Sequence, residues 1–138
     1  MTYKSDFLSA IQVQLQAKQN RRHAIGAQAY MKDIAPFLGV KTPERRSSVK
    51  SIAKSLTIPS SQELAATVRA LWKLPEREYQ YAGYDLLQLH IEVADRNFLA
   101  EHIEYLITHK SWWDTVDGLG TAAVSPLTDK YGCEKLIR

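Results

Sequence analysis

The sequence has a single cysteine, Cys133, among 138 residues. One cysteine cannot form an internal disulfide, so a small disulfide-stabilised secreted fold is excluded and a reducing, intracellular setting is expected. The sequence also lacks any run of about 20 apolar residues that could cross a membrane, and its N-terminal segment lacks the apolar core of a signal peptide. We therefore expect a soluble, cytoplasmic protein without a membrane partner.

Glycine and proline are scarce, with six and five residues, and alternating β-branched runs typical of strands are missing. The composition, 45% hydrophobic and 24% charged, is that of a globular chain and excludes a disordered one. Apolar residues recur at helical spacing throughout, which predicts an all-α fold. The length matches one domain, since domains cluster at about 100 to 150 residues.

Charge is distributed unevenly along the chain. Residues 1–60 carry ten Lys or Arg against three acidic residues, a net charge of +7, whereas residues 61–138 carry eight basic and twelve acidic residues, a net charge of −4. Such asymmetry predicts a directed basic surface and is compatible with a polyanionic partner.

Local signals at their ends predict several helices. The first begins near Asp6 and ends at the polar run 18–22, and a short second helix covers 24–31. Further along the chain, another helix covers about 76–93. The apolar periodicity predicts these buried side chains: Leu8, Ile11, Leu15, Val49, Ile52, Ala53, Leu56, Leu64, Val68, Leu71, Trp72, Tyr79, Ala82, Leu86 and Leu89.

Helix starts recur at a regular interval. Thr42 is a suitable N-cap before Pro43, and Ser60 with Glu63 forms a capping box. With these, the successive starts are Thr42, Ser60, Pro75, Asp95 and Ser111, and every second start is separated by 33, 35 and 36 residues. A two-helix repeat of this period without strong sequence identity predicts a HEAT-like α-α solenoid rather than a tetratricopeptide or ankyrin array.

Two groups of residues could carry function. Arg46, Lys50 and Lys54 form a cationic row at i, i+4 and i+8, which either is simply solvated or meets an anionic partner. Trp113 and Asp117 lie one helical turn apart, where an indole and a carboxylate would favour a cation. The alternative for this pair is ordinary packing and interaction with the helix dipole.

Other catalytic patterns are missing. The four histidines include no i, i+4 pair and none lies beside Cys133, so no metal is expected. No nucleophile elbow, P-loop or dinucleotide-binding motif occurs, and no cofactor is expected. Glu76 and Glu78 precede a helical run, and we expect them to stabilise its N-terminus.

Three segments together resemble a known family. The segment YMKDIAPFLGVKTPERR at 30–46, LWKLPEREYQYAGYDLL at 71–87 and KSWWDTVDGLG at 110–120 are similar to successive blocks of AlkD-like DNA alkylation-repair glycosylases. The resemblance implies a HEAT-like, right-handed superhelix whose concave basic face holds duplex DNA. It also implies hydrolysis of the N-glycosidic bond of cationic N3- or N7-alkylated purines, by a monomer that does not enclose the base in a pocket.

The resemblance assigns roles to individual residues. Asp117 would stabilise the oxocarbenium-like sugar and position water, Trp113 would contact the cationic face of the lesion nucleotide, and Tyr30 would lie beside the lesion. Lys41 would approach the DNA. With it, the expected phosphate contacts are Lys41, Arg45, Arg46 and Lys50.

The chain departs from this family in one respect. The family's catalytic set includes an Arg on a helix of a further repeat, and Arg138 lacks the motif that surrounds it. We therefore expect residues 1–138 to form one helical-repeat domain, the N-terminal portion of a longer architecture. Two functions remain open from the sequence: a DNA glycosylase, incomplete in this chain, and a non-enzymatic helical-repeat module that binds nucleic acid or a protein.

Overall fold

In a computed structural model of the chain, residues 2–32, 35–94, 102 and 104–110 are described. Their regular elements are all helical: α1 (Tyr3–Ala17), α2 (Arg21–Tyr30), α3 (Thr42–Ser55), α4 (Ser61–Trp72), α5 (Arg77–Leu89), a 3-10 helix (Ile91–Val93) and α6 (Glu104–Thr108). This confirms the all-α prediction and agrees with a helical-repeat fold.

The helices pack in two layers. α1 packs against α4, and α3 packs against α5, while α1 also contacts α3 and α4 also contacts α5. The core between them contains most of the side chains predicted to be buried, with Ile11, Leu64 and Leu86 fully inaccessible. This arrangement places α3 and α5 side by side in one layer.

Local signals define several boundaries. The capping box of α4 is confirmed, since the Ser60 amide donates to Glu63 Oε1 at 2.9 Å and the Glu63 amide donates to Ser60 Oγ at 3.1 Å. α3 and α5, which are separated by α4, begin 35 residues apart at Thr42 and Arg77, within the range of intervals that the two-helix repeat predicts. The predicted starts at Asp95 and Ser111 lie outside the described residues.

Other boundaries differ from the predictions by a few residues. α1 begins at Tyr3 because Thr2 and Ser5 form a capping box upstream of Asp6. α2 begins at Arg21, since the side chain of Asn20 accepts from the His23 amide within the polar run that was expected only to end α1. Hydrogen bonding inside a polar run thus starts a helix that apolar periodicity places too late.

The start of α3 and the end of α5 also need correction. Thr42 is the first residue of α3 rather than its cap; the N-cap is Lys41, which makes no side-chain capping bond. α5 ends at Leu89 and is followed by a separate 3-10 turn, so the predicted helix over 76–93 is interrupted. Leu89 is 42% exposed instead of buried, because the helix ends there.

Candidate nucleic-acid interface

An open groove lies between the end of α2, the loop over 35–41 and the start of α3. Its volume is about 770 Å³. Its lining includes apolar side chains, the buried Arg45 and Glu78, and these basic or aromatic residues: Arg22, His23, Tyr30, Phe37, Lys41 and Tyr81. Such a surface can attract phosphates through its cations and can pack against the flat faces of bases or sugars.

The groove brings together two residues that the sequence singles out. Tyr30 is the last residue of α2 and is 85% exposed. Lys41 is the N-cap of α3 and is also exposed. Eleven positions apart in sequence, they line the same depression.

The cationic row continues from this groove along α3. Arg46, Lys50 and Lys54 are all exposed and line an adjacent depression of about 560 Å³ with Pro43, Ser47 and Ser51. Arg46 also approaches Asp85, with 3.9 Å between Nε and Oδ1, but its side chain is 64% exposed. Its charge therefore remains accessible to a ligand.

Arg45 does not belong to this exposed surface. It is 3% exposed, and its Nε donates to Asp85 Oδ2 at 2.7 Å while Nη2 donates to Oδ1 at 3.3 Å. Its guanidinium also lies 5.1 Å from the ring centre of Tyr81 and 5.7 Å from that of Tyr84. Arg45 thus joins α3 to α5 where it lines the groove, and the phosphate contact predicted for it stays a prediction.

Glu78 has a role that sequence reasoning missed. Instead of only stabilising the start of α5, its buried carboxylate accepts hydrogen bonds from the amides of Leu38, Gly39 and Val40, at 2.9, 2.8 and 3.2 Å. The one sequence signal for this role is an acidic residue on the buried face of α5. Apolar periodicity does not identify its partners, which lie about 40 residues away in the sequence.

The segment 106–110, which leads into the block at 110–120, is hydrogen-bonded to the end of α4 and to the residues that follow it. Trp72 Nε1 donates to the carbonyls of Leu106 and His109, at 3.0 and 2.8 Å, and Lys110 Nζ donates to the carbonyl of Leu74. Burial lowers the pKa of Lys110, and Arg77 lowers it further, while Glu76 opposes the shift. Trp113 and Asp117 lie outside the described residues.

Neither a metal site nor a membrane-spanning helix is found among the described residues. Within the described ranges no group of three or more His, Cys, Asp or Glu side chains could hold a metal ion. No helix in the part of the chain that the structure describes is both long and apolar enough to span a membrane. The groove and the adjacent row on α3 together form the candidate site.

Helical layers that carry a basic, aromatic groove define a helical-repeat protein with a candidate nucleic-acid interface. Residues 11–137 match the family described as DNA alkylation repair enzyme, so the chain belongs to that family.

Among solved structures, a "Predicted DNA alkylation repair enzyme from Enterococcus faecalis" is similar, with a TM-score of 0.69 and 28% sequence identity. The similarity covers 81% of this chain and 54% of that one, so the chain spans about half the length of its structural relative. No protein of curated function matches the chain.

Proposed function

We propose that this chain is a DNA glycosylase of base-excision repair, or the DNA-recognition part of one, acting on duplex DNA with cationic N3- or N7-alkylated purines. The observation that carries the proposal is the position of Tyr30 and Lys41 in one groove that continues into the exposed cations of α3. Membership of the repair family supports it. In this proposal the layer formed by α3 and α5 belongs to a curved, concave basic face toward the DNA.

Hydrolysis of the N-glycosidic bond of a cationic alkylpurine requires few catalytic groups. A cationic alkylpurine departs with the electron pair of its bond to C1′ and becomes neutral, so protonation by a general acid is not essential. The sugar develops oxocarbenium character and is then attacked at C1′ by water, which releases a proton to the solvent. A carboxylate stabilises the developing positive charge and orients the water. We assign this to Asp117, with Trp113 and Tyr30 toward the cationic lesion.

The groove suits recognition that leaves the base outside an enclosed pocket. It is open to solvent, and Tyr30, the aromatic residue at its edge, is almost completely exposed. The cationic base and the phosphates of the DNA can therefore contact this surface without a nucleotide being enclosed. Cation-π contact with the lesion and ionic contact with the backbone would both operate from one side of the duplex.

The decisive experiment compares two carboxylates of the same block. Asp117→Asn is expected to abolish base release from methylated duplex DNA, whereas Asp114→Asn, which removes the same charge three residues earlier, is expected to retain most of it. Circular dichroism establishes that both variants are folded. Base release by Asp117→Asn at the wild-type rate would refute the role given to Asp117.

A second function is a non-enzymatic module that binds nucleic acid. It is favoured by the groove and the cationic row, whose lining among the described residues consists of side chains from 20–54 together with Glu78 and Tyr81. Salt-dependent DNA binding without base release by the wild-type chain would support this function over the glycosylase. Binding to a protein partner with an affinity that is independent of salt concentration would indicate a protein scaffold. Absence of DNA binding at low salt would indicate that the cationic row is only a solvated face.

A further inference from the structure

The loop over 35–41 is hydrogen-bonded to α2, to the N-cap of α2 and to the start of α5. The amide of Asn20 donates to the carbonyl of Leu38, at 3.0 Å. The amide of Phe37 donates to Gln28 Oε1 at 3.1 Å, and the amide of Arg77 donates to the carbonyl of Pro36 at 2.9 Å. The loop therefore has a defined conformation although it has no regular secondary structure.

The strongest of these contacts come from Glu78. Three consecutive amides, those of Leu38, Gly39 and Val40, converge on its two carboxylate oxygens. Consecutive amides that converge in this way form an anion-binding nest, and bonds to an ionised acceptor are stronger than neutral ones. The anion in this nest belongs to the protein, so the loop is preformed before any phosphate arrives.

Gly39 shows how closely the loop approaches α2. Its φ is +87°, in the left-handed region that favours glycine. A Cβ at this position would lie 1.9 Å from the carbonyl oxygen of Asn20 and 2.8 Å from the amide nitrogen of Ala24. Backbone atoms cannot move aside as the end of a flexible side chain would, so only glycine fits at this position, where the loop contacts α2.

The loop ends at Lys41, the N-cap of α3, which lines the same groove as Tyr30. Val40, whose amide is bound by Glu78, directly precedes Lys41. We propose that Glu78 is a positioning residue for DNA binding: by holding residues 38–40 it fixes Lys41 at the edge of the groove, where its ammonium group meets a phosphate. This inference rests on the proposed DNA-binding function and assigns no chemical step to Glu78.

The sign of the effect distinguishes this role from general electrostatics. Removing a negative charge from a protein that binds DNA strengthens attraction to the phosphates. A positioning role predicts the opposite, namely that neutralising Glu78 weakens binding because Lys41 is no longer held in place. Glu76 provides the matched control, since it lies two residues earlier and makes no side-chain hydrogen bond to the loop among the described residues.

The experiment measures the affinity of the full chain for an unmodified duplex by fluorescence anisotropy over a series of salt concentrations. Glu78→Gln is expected to weaken binding about eightfold at 0.1 M salt and to reduce the slope of log K against log salt by about 0.9, which is the loss of one phosphate contact. Glu76→Gln is expected to bind as tightly as the wild type or more tightly. Lys41→Ala should resemble Glu78→Gln, and the double variant should lose no more than Lys41→Ala alone.

Thermal unfolding followed by circular dichroism shows whether Glu78→Gln is folded. If it is not, Glu78→Asp replaces it, because it keeps the charge while withdrawing the carboxylate from the three amides, and the same weakening and the same dependence on Lys41 are expected. Affinity or slope equal to that of Glu76→Gln, or full additivity with Lys41→Ala, would overturn the positioning role. Absence of DNA binding by the wild type would overturn the proposed function and this inference with it, whereas wild-type binding that Lys41→Ala weakens and Glu78→Gln does not would overturn this inference alone.

Discussion

Arg45 and Asp85 form a buried two-point ion pair that joins α3 to α5. Nε of Arg45 lies 2.7 Å from Oδ2 of Asp85, and both side chains are less than a tenth exposed. Arg45 lies on the buried side of α3, whereas Arg46 and Lys50 lie on its exposed side. One arginine therefore organises the layer, while its neighbour in sequence is presented to solvent.

Breaking this pair should destabilise the protein strongly. Removal of one partner from a buried ion pair leaves an uncompensated charge and costs about 3–5 kcal/mol, whereas replacing both by apolar residues of similar volume costs much less. Arg45→Met and Asp85→Leu are each expected to show this loss in urea unfolding, and the double variant is expected to recover much of it. Arg46→Met, at the exposed 3.9 Å contact with Asp85, should change the free energy of unfolding by less than about 1 kcal/mol. Additive losses in the double variant would contradict the pairing.

Two helical glycines should respond in opposite directions to alanine. A Cβ on Gly26 of α2 would meet no atom within 4 Å, so Gly26→Ala should raise the free energy of unfolding by up to about 1 kcal/mol through helix propensity alone. A Cβ on Gly83 of α5 would lie 3.1 Å from Cζ3 of Trp72. That ring is fully buried and its Nε1 is hydrogen-bonded to two carbonyls, so it cannot withdraw, and Gly83→Ala should destabilise. Urea unfolding of the two variants measures both effects, and equal stabilisation by both would show that Trp72 can move.

The stability of the protein should fall in mild acid because of His90. Burial lowers the pKa of His90 below its usual 6.5, and its Nε2 has no hydrogen-bond partner among the described residues. The unfolded chain therefore takes up the proton first as the pH falls, so the stability that neutral His90 provides is complete above about pH 6.5 and is lost as the pH falls through the lower pKa of the folded state. Urea unfolding at pH 7.5 and pH 5 should show a smaller decrease for His90→Phe than for the wild type. Parallel decreases would assign the acid sensitivity to other groups.

The burial of Arg45 could be predicted from the sequence, but its ion-pair partner could not. Arg45, Ser48, Val49 and Ile52 are the buried residues of α3, and they follow the i, i+3, i+4, i+7 spacing of one helical face. The period alone thus places Arg45 inside, whereas its charge makes it a candidate for contact with a phosphate. Its partner Asp85 lies 40 residues away, and no local pattern identifies such a pair.

The same limit applies to the groove. The resemblance to the repair family indicated Tyr30 and Lys41, and the structure brings them to one depression. Glu78 could not be found in this way, because its three partners are backbone amides, which carry no side-chain signature. Periodicity predicts which face of a helix is buried, but which loop meets that face depends on tertiary contacts.

The exposed row on α3 should contribute to DNA binding through phosphates alone. Arg46→Ala, Lys50→Ala and Lys54→Ala are each expected to reduce the slope of log K against log salt by about 0.9, because each removes one counterion-releasing contact. The loss should be equal for methylated and unmethylated duplexes, since contacts to the backbone carry no information about the base. Lys4→Ala, which removes an exposed charge from α1 and does not border the groove or the depression along α3, provides the control for net charge. If all four variants changed the slope by the same small amount, the row would act only through the overall charge of the protein, and the interface would have to lie elsewhere on the chain.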